Sequence, residues 1–352
     1  MRGLAAAPAL DCEAFPMIDP DALHLPDAPP IPGLTFRTFR DNDDFAAMVA
    51  VIAACQEHDQ VDPLSPEAGI PTVAELVESF ASAENIDLRR DLLLVLLDGG
   101  VIGFQWVRWW QQADGTRVYY HRGRVVPAWR GQGIGTATLR WSERHSRALA
   151  AQAGGPAVYQ ANTTTHEQDY NRLLLSEGYT PVHSFLELGC DPAAPLPQAA
   201  FPPGFERRPA LPEHYRAIWE ANEEAFADEW GRRAQDPTAF LKFLTSLLTN
   251  PHFDPDLWQI AWHGDEVAGV ALCEVTARGV GEISDLSVRP RWRGHGLARA
   301  LIVAAVRALQ ARGLAHIRIF TDADDPFGAR SLYESVGFRV VTEYIRYRKP
   351  IV

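Results

Sequence analysis

The sequence has few cysteines, no long apolar run and no excess of positive charge. Its four cysteines (Cys12, Cys55, Cys190 and Cys273) are scattered, without a CxxC pair or metal-ligand spacing. We therefore expect free thiols and no metal site. No stretch reaches the ~18 apolar residues that a membrane span requires, and the proline-broken N-terminal region is not typical of a signal peptide. These absences predict a cytoplasmic protein with no membrane partner.

The charge balance excludes a further class of partner. The formal net charge is −12, whereas nucleic-acid-binding proteins normally present a basic face. An acidic chain is compatible with a cationic amine substrate. Apolar residues make up 47% and charged residues 22% of the chain, which is ordinary for a globular protein. The length of 352 residues predicts two domains.

The same order of elements occurs twice along the chain. We expect an N-terminal Pro/Ala-rich arm over residues 1–32, a first repeat over 33–190, a linker over 191–204 and a second repeat over 205–352. The arm is either disordered or draped over the body. Each repeat reads as a strand, a helical region, a hairpin, a further strand, a glycine loop, a helix, a strand and a short helix.

The spacing between the repeats is nearly constant. Gly131 and Gly294 of the glycine loops are 163 residues apart, and the glycines that end the last helices, Gly178 and Gly337, are 159 apart. Chance similarity of one loop would not give matching offsets along a whole repeat. We interpret the chain as a duplicated domain.

Each glycine loop lies between a strand and a helix. Small residues let the backbone approach a ligand closely, and the free N–H groups of the helix start attract an anion such as a pyrophosphate. The alternative is a tight connection without a ligand. The candidate binding residues are Arg130, Gly131, Gln132, Gly133, Ile134 and Gly135 in the first loop, and Arg293, Gly294, His295, Gly296, Leu297 and Ala298 in the second.

Other phosphate-binding motifs do not fit the loops. A dinucleotide fingerprint requires GxGxxG, but Thr136 occupies the third glycine position of the first loop. No GxxxxGK[ST] sequence occurs, which excludes a nucleotide P-loop.

The loops RGQGIG and RGHGLA resemble the acetyl-CoA-binding signature of the GNAT superfamily, and DDPFGARSLYESVGF (Asp324–Phe338) resembles its terminal helix motif. The two-copy layout resembles the mycothiol synthase group of tandem GNAT proteins. This resemblance implies an α/β fold with two tandem GNAT-like domains, each a central mixed β-sheet flanked by helices. It also implies acetyl-CoA as co-substrate and direct acetyl transfer to a primary amine of a small molecule or peptide in a ternary complex.

The resemblance also implies roles for particular residues. Backbone N–H groups near Leu286 and Val288 would meet the thioester carbonyl, and Val125 occupies the matching place in the first repeat. Tyr333 would be the acid that protonates the leaving thiolate, whereas Leu174 stands at its place in the first repeat. The alternative for Tyr333 is a packed helix aromatic. Asp325 replaces the usual Asn of the terminal motif, where we expect it to help hold cofactor or chain geometry.

Two carboxylates precede the second loop, and either is a candidate base. Glu282 and Asp285 align with Tyr119 and Arg122 of the first repeat, so the first repeat lacks both. Because successive strand side chains alternate, we expect the two to face opposite ways and only one to reach the acceptor. Glu282 is the preferred candidate, and a solvent-facing or ion-paired role is the alternative for each.

These observations favour a catalytic second repeat and a first repeat that retains its loop for structure or for a non-reacting acetyl-CoA. Two other hypotheses stay open: a non-catalytic acetyl-CoA-binding regulatory protein, and a first repeat that mainly supplies a dimer-like partner surface. The acidic and aromatic segment Ala221–Trp230 is either an amine site or a solvated helix face. The sequence leaves the acceptor undetermined, and a monomer or a homodimer fits equally well.

Overall fold

The computed structural model describes residues 22–65, 68–227, 229–234, 237–325 and 327–351. Most of the expected arm, residues 1–21, and Cys12 with it, lies outside this range. The first repeat contains β1 (Leu34–Thr38), α1 (Asp43–Asp59), α2 (Val73–Ala81), α3 (Leu88–Asp91), β2 (Leu92–Leu97), β3 (Gly100–Gln111), β4 (Arg117–Val125), α4 (Ile134–Ala153), β5 (Ala157–Thr164), α5 (Gln168–Ser176) and β6 (Thr180–Cys190).

The second repeat follows the same order, with the 3-10 helix Pro255–Leu257 at the place of α3. It contains β7 (Glu206–Arg208), α6 (Tyr215–Ala225), α7 (Ala239–Thr249), β8 (Gln259–His263), β9 (Glu266–Val275), β10 (Gly281–Val288), α8 (Leu297–Gln310), β11 (Ile317–Asp322), α9 (Ala329–Val336) and β12 (Arg339–Pro350). Short 3-10 helices lie at Pro127–Trp129, Pro212–His214, Pro255–Leu257 and Pro290–Trp292. The strand–loop–helix order expected around both glycine loops is confirmed.

All twelve strands form one sheet, in the order β1-β2-β3-β4-β5-β12-β6-β11-β10-β9-β8-β7. The last strand of each repeat is inserted into the other repeat. β12 pairs with β5 and β6, while β6 pairs with β11 and β12. The α/β fold with a mixed sheet and flanking helices is confirmed, but the sequence did not predict that the two repeats share a single sheet.

The exchanged strands carry a buried polar network. Glu187 on β6 accepts hydrogen bonds from the hydroxyl of Ser65 at 2.6 Å and of Tyr344 at 2.8 Å, and from Arg318 Nε at 3.1 Å. Ser65 belongs to the first repeat, whereas Arg318 and Tyr344 belong to β11 and β12. Since every oxygen of the buried carboxylate has a partner, this network stabilises the junction between the repeats.

The helices pack on both sides of the sheet. In the second repeat, α8 and α9 bury one face of β8–β11, while α6 and α7 cover the opposite face. The first repeat has α1 and α2 on one face of β2 and β3 and α4 on the other, and α5 packs against β5 beside α4. The site residues on the central strands therefore face either the first two helices of their repeat or the helix after the glycine loop.

The described part of the arm is draped over the body. Leu25 is buried with Ile134 and Ala137 of α4, and Asp27 accepts a hydrogen bond from Arg140 at 3.1 Å. The linker takes the matching place in the second repeat, where Phe201 packs against the core that includes α8. Within the described residues, no helix has the length and apolar character needed to cross a bilayer.

Candidate active site

The two glycine loops have the same backbone geometry. Gly131 and Gly133 have φ of 73° and 89°, and Gly294 and Gly296 have φ of 78° and 82°. These left-handed values favour glycine, because a Cβ at such positions is strained. Gly133 and Gly296 directly precede α4 and α8. The N–H groups of each first helical turn thus lack intrahelical partners and point toward the loop.

An arginine anchors each loop to the strand before it. Arg130 Nε donates to the carbonyl oxygen of Val125 at 3.0 Å, and Arg293 Nε donates to that of Val288 at 3.2 Å. Each guanidinium also reaches the end of the first long helix of its repeat. Arg130 contacts Asp59 Oδ1 at 2.6 Å, and Arg293 Nη2 donates to the Ala225 carbonyl at 2.8 Å.

The other predicted loop residues divide between surface and core. Gln132 and His295 are exposed and bond to nearby backbone carbonyls. Ile134 and Leu297 are buried beneath their helices. The side chains of the loops therefore fix loop shape, and the backbone N–H groups are left as the candidate anion-binding groups.

The strand before each loop separates from its parallel neighbour. Pairing of β4 with β5 ends at Tyr120 and Gln160, and pairing of β10 with β11 ends at Ile283 and Ile319. Beyond these points each pair of strands leaves a gap that opens toward the glycine loop. In the second repeat, Leu286 and Val288 lie on the separated part of β10, as expected for residues whose backbone meets a thioester.

β10 contains a bulge that has no counterpart in β4. The register with β9 pairs Ile283 with Cys273 and then Asp285 with Leu272, so Ser284 is the extra residue. The pairing of β4 with β3 is continuous from Arg117 to Val125. The bulge falls at the point where β10 leaves β11.

The bulge changes which way the two candidate bases face. Ile283 lies in the core under α8, so Glu282 before it faces the α6 side. Asp285 is paired with Leu272, which packs on the α6 side as well. The expectation that Glu282 and Asp285 face opposite ways is wrong, because a bulge shifts the alternation by one residue. Both carboxylates face the same side of the sheet.

Asp285 lies in an enclosed and acidic environment. Burial raises its pKa, the negative charge of Glu223 adds to this, and a hydrogen bond from Asn222 acts in the opposite direction. The Ser287 hydroxyl donates to Asn222 Oδ1 at 2.7 Å. Ser287 is thus bonded to a side chain near the end of α6, and the same side chain acts on the pKa of Asp285.

Tyr333 comes from α9 and is 5% exposed. Burial raises the pKa of its hydroxyl, and the negative charges of Asp325 and Asp285 raise it further. Tyr333 is therefore protonated at neutral pH and lies within electrostatic reach of Asp285. Leu174, its counterpart in the first repeat, is fully buried in an apolar cluster.

Asp325 holds the start of α9. Its carboxylate accepts hydrogen bonds from the backbone N–H of Phe327 at 2.9 Å and from that of Ala329. Gly328 is the residue at the N-cap of α9, and the bond from Ala329 satisfies one of the free N–H groups at the start of this helix, which carries Tyr333. The described contacts of Asp325 concern chain geometry.

Comparison with known proteins agrees with this geometry. The model of the Acetyltransferase (GNAT) family matches residues 61–169 and again residues 214–338. The chain belongs to the GNAT family. A mycothiol acetyltransferase of Nocardiopsis dassonvillei is 30% identical over 290 residues, which cover 73% of this chain and 81% of the relative. Another, from Pseudarthrobacter chlorophenolicus, is 31% identical over 222 residues, covering 61% of this chain and 65% of the relative.

A solved structure shows the same architecture. The GCN5-related N-acetyltransferase from Sphaerobacter thermophilus has a TM-score of 0.74 and 28% identity, with 91% of this chain and 96% of that chain covered. The predicted family, fold and enzyme class are confirmed. As a GNAT protein, the chain is an acetyltransferase whose co-substrate is acetyl-CoA and whose acceptor is an amine.

The two GNAT repeats differ most where their strands separate. Arg122 and Arg124 occupy the places of Asp285 and Ser287. Arg124 contacts Glu167 Oε1 at 2.5 Å and Arg122 contacts it at 3.6 Å. Although burial opposes ionisation, the two arginines lower the pKa of Glu167 to about 2. This ion pair lies in the gap where the second repeat has its carboxylate, amide and hydroxyl.

A cavity of about 340 Å³ lies beside the first loop. Its lining includes Gly131, Gly133, Arg130, Arg124 and Glu167. The glycine loop of the first repeat therefore borders an open cavity. The ion pair of Arg124 and Glu167 lines the inner end of that cavity.

Three residues near the first loop have the donor atoms of a metal site. Side-chain donors of His58, Asp59 and Asp169 lie within 4.8 Å of one another. Arg130 already contacts both carboxylates, at 2.6 and 3.2 Å. Since a guanidinium occupies the place a cation would take, we interpret this group as an ion-pair cluster.

Sequence reasoning missed Asn222 and Glu167. Neither belongs to a recognised motif, and each acts on a residue more than 40 positions away, on a strand. The alignment of Arg122 with Asp285 could have indicated a residue such as Glu167, because a buried arginine facing the gap of the first repeat requires a carboxylate partner.

Proposed function

We propose that this GNAT protein acetylates a primary amine of a small molecule at one centre, in its second repeat. The observation that carries the proposal is that Asp285 lies on β10 just after it leaves β11, behind the loop Arg293–Ala298, and that its charge raises the pKa of the buried Tyr333 hydroxyl. The first repeat has Arg122 and Leu174 at these places, and neither can perform the corresponding proton transfer.

The residues of the second repeat supply what acetyl transfer requires. An amine must lose a proton before it attacks, and a carboxylate with a raised pKa is a suitable base near neutral pH. Acetyl-CoA supplies the thioester whose carbon forms the new C–N bond while its C–S bond breaks. Backbone N–H groups near Leu286 and Val288 are the candidate donors to the carbonyl oxygen. The Tyr333 hydroxyl gives a proton to the departing thiolate.

We assign the base to Asp285 in preference to Glu282. Asp285 lies beyond the last β10–β11 pair and acts electrostatically on Tyr333. Glu282 lies within the paired segment, opposite Arg318 of β11 and Glu274 of β9. Because both face the same side, Glu282 is assigned to the wall of the acceptor space.

The first repeat retains a loop and a cavity suited to a pyrophosphate but lacks the reacting groups. We propose that it is a non-catalytic repeat. The two boundaries at residues 190 and 205 then separate a supporting unit from a catalytic one. The opposing hypothesis is an acetyl-CoA-binding protein without activity in either repeat.

The acceptor is a small molecule with a free amine. The relatives of known name are mycothiol acetyltransferases, which makes the des-acetyl form of mycothiol the first candidate to test. An amine panel with polyamines, aminoglycosides and amino acids covers the cationic alternatives that the acidic segment near α6 suggests.

The test is release of free thiol from acetyl-CoA by the full-length protein with this panel. We expect turnover with at least one amine; absence of turnover with every amine would favour the binding-protein hypothesis. Asp285→Asn should reduce kcat/KM by about 10²-fold or more and abolish the acidic limb of its pH profile. Glu282→Gln should preserve that limb and act mainly on KM for the amine. The reverse result would assign the base to Glu282.

A further inference from the structure

Two arginines at the junction between the repeats lack an acidic partner. Arg346 and Arg348 are half-buried, lie two residues apart on β12 and therefore face the same side of the sheet. Arg348 Nε donates to Gln160 Oε1 at 2.9 Å. Arg346 Nε and Arg348 Nη2 are buried without a hydrogen-bond partner among the residues that the structure describes. Neither guanidinium forms an ion pair with a carboxylate of that part of the chain.

The most buried arginines of the described chain do have acidic partners. They form the ion pairs Arg37–Asp44, Arg124–Glu167 and Arg318–Glu187, at 2.6, 2.5 and 3.1 Å. A cation taken out of water is costly unless an anion or hydrogen bonds compensate it. Burial lowers the pKa of Arg348 and the charge of Arg346 lowers it further, although Asp114 acts in the opposite direction. An anion from outside the described chain would therefore stabilise the pair.

Aromatic rings orient the two guanidinium groups. Both lie over the ring of Trp230, with Arg346 at 5.4 Å and Arg348 at 4.4 Å from its centroid, and Arg346 also lies 4.8 Å from that of Phe185. His183 stacks on Trp230 at 4.4 Å, with the ring planes 4° apart. A guanidinium stacked on an aromatic ring keeps its N–H donors in its own plane, where they match the two oxygens of a carboxylate or phosphate.

The first repeat holds the segment that carries Trp230. The backbone N–H of Ala113, in the turn between β3 and β4, donates to the Arg232 carbonyl at 3.0 Å. The N–H of Ala234 donates to the Gln111 carbonyl, also at 3.0 Å. Trp230 belongs to the second repeat, but its position depends on the first. The arginine pair is thus covered by a surface that both repeats build.

The arginine pair faces the same side of the sheet as the two candidate bases. Arg346 follows Tyr344 by two residues, and Tyr344 and Arg318 bond to one carboxylate. Arg318 is the cross-strand partner of Glu282, which faces the same side as Asp285. Three strand spacings separate β12 from β10, which is about 14 Å. A chain of about four extended residues spans this distance.

We propose that Arg346 and Arg348 bind an anionic group of the acceptor, a carboxylate or a phosphate, about 14 Å from the amine that is acetylated. This inference rests on the proposed function, because it names the class of acceptor for the centre in the second repeat. The acceptor is an amine that carries an anion at its far end.

The test compares acceptors that differ only in this anion. Oligoglycines of about three to five residues, with a free C-terminal carboxylate or as the C-terminal amide, are assayed with the full-length protein by thiol release. They are also assayed as competitors of the best amine. Aminoalkyl phosphates form a second arm, which separates a phosphate site from a carboxylate site. We expect one anionic series to exceed its neutral partners by about 10- to 100-fold in kcat/KM or in inhibition constant. Equal values for anionic and neutral compounds would overturn the proposal.

Variants of the two arginines test the assignment to residues. Arg346→Gln and Arg348→Gln should each remove most of the preference for the anion, chiefly by raising KM or the inhibition constant of the anionic compounds. The values for the amides should change much less. If either variant lowers Tm but keeps the full preference, its arginine serves only to pack Trp230, and its assignment fails.

Arg117 provides a matched control. It lies 4.5 Å from the ring centroid of Trp109, and its Nε is likewise buried without a partner in the described chain. It faces the opposite side of the sheet, two residues before Tyr119, whose partner Tyr159 bonds to the backbone of α4. Arg117→Gln should lower Tm to a similar extent as the two junction variants and keep the preference for the anion. Loss of the preference in this control would refute a local subsite.

Two readouts separate failure of this inference from failure of the proposed function. If amines release thiol but the anion makes no difference, the acetyltransferase assignment stands and the subsite fails. If no amine reacts, the proposed function fails, and calorimetry of the same peptides still tests the subsite. Tighter binding of the carboxylate form by the wild type than by Arg346→Gln would support it, and equal binding would overturn it.

Discussion

The gap between β4 and β5 and the gap between β10 and β11 occupy the same place in two repeats with nearly identical glycine loops. At two aligned positions, the first gap has Arg122 and Arg124, and the second has Asp285 and Ser287. The arginines share Glu167, whereas Ser287 donates a hydrogen bond to Asn222, which also lowers the pKa of Asp285. The loop geometry has thus been kept while the charge in the gap has been reversed.

The carboxylates in the two gaps have pKa values shifted in opposite directions, downward for Glu167 and upward for Asp285. Glu167 has a pKa of about 2 because two arginines outweigh its burial. Asp285 has a raised pKa because burial and Glu223 outweigh one amide. A carboxylate with a low pKa is a poor proton acceptor, and one with a raised pKa is closer to the value that general base catalysis requires. On this comparison we propose that reactivity belongs to the gap and that the loop serves cofactor binding.

The strongest challenge to this comparison is to separate the repeats. A fragment of residues 201–352 lacks β6, which fills the place between β11 and β12. We expect it to be unfolded, because a missing central strand leaves two edges and their backbone groups unpaired. Thiol release should fall below detection. A fragment of residues 180–352 keeps β6 and should recover strand content in circular dichroism. Full activity of the shorter fragment would contradict the shared sheet.

Removal of the proposed acid should have the next largest effect on activity. Tyr333→Phe should lower kcat by about 10²–10⁴-fold, since the thiolate loses its proton donor, while acetyl-CoA affinity by calorimetry should change little. Leu174→Met is the matched change in the first repeat and should leave kcat unaltered. Wild-type turnover by Tyr333→Phe would return Tyr333 to the role of a packed aromatic.

A pair of glycine variants compares the two loops directly. Gly131 and Gly294 have φ of 73° and 78°, and a Cβ at either position meets no atom within 4 Å. Gly131→Ala and Gly294→Ala should therefore cost the same stability, about 1–2 kcal/mol each from left-handed strain. Only Gly294→Ala should raise KM for acetyl-CoA, by about tenfold. Equal effects on KM would show that the first loop takes part in turnover.

The recurring motifs were predictable from sequence because both loops depend on local spacing. Glycine at left-handed positions, an arginine ahead of them and a helix behind them all lie within one short segment. Tyr333 was found for the same reason, since α9 carries a compact motif. The loops and Tyr333 remain predictions as ligand contacts and acid.

The other features of the fold and the site depend on contacts between segments far apart in sequence, which no local pattern shows. Ser284 is the extra residue of a bulge because of the register between β10 and β9. That register determines which side of the sheet Glu282 faces. The exchange of β6 and β12 joins strands more than 150 residues apart. The contacts of Asn222 and Glu167 exist only after α6 and α5 have packed beside their strands.

The last prediction concerns stability alone and the unbulged strand. His121 of β4 pairs with Val107 and takes the place of Ile283, the residue before the bulge, and it is fully buried. Burial and the nearby charge of Lys349 lower its pKa to about 3. The folded state keeps His121 neutral while the unfolded chain binds a proton below about pH 6.5. Stability should be full above that pH and should decline as the pH falls toward 3.

Thermal melts can measure this contribution. At pH 5 it amounts to about 2 kcal/mol. His121→Gln should therefore show a smaller loss of Tm between pH 7 and pH 5 than the wild type. Ser284→Ala, at the bulge, should show the wild-type loss. An unchanged slope in His121→Gln would mean that other groups dominate the acid sensitivity.

The exchanged strands also set an order of events during synthesis. β5 ends at Thr164, but the strand that must lie beside it, β12, begins at Arg339. At about 5–20 residues per second, a ribosome needs roughly 10–35 s to make the intervening chain. Until β12 is made, β5, and β6 once its own residues are synthesised, lack this partner, and such edges invite pairing with other chains. We expect the first repeat to require chaperone protection until translation is nearly complete.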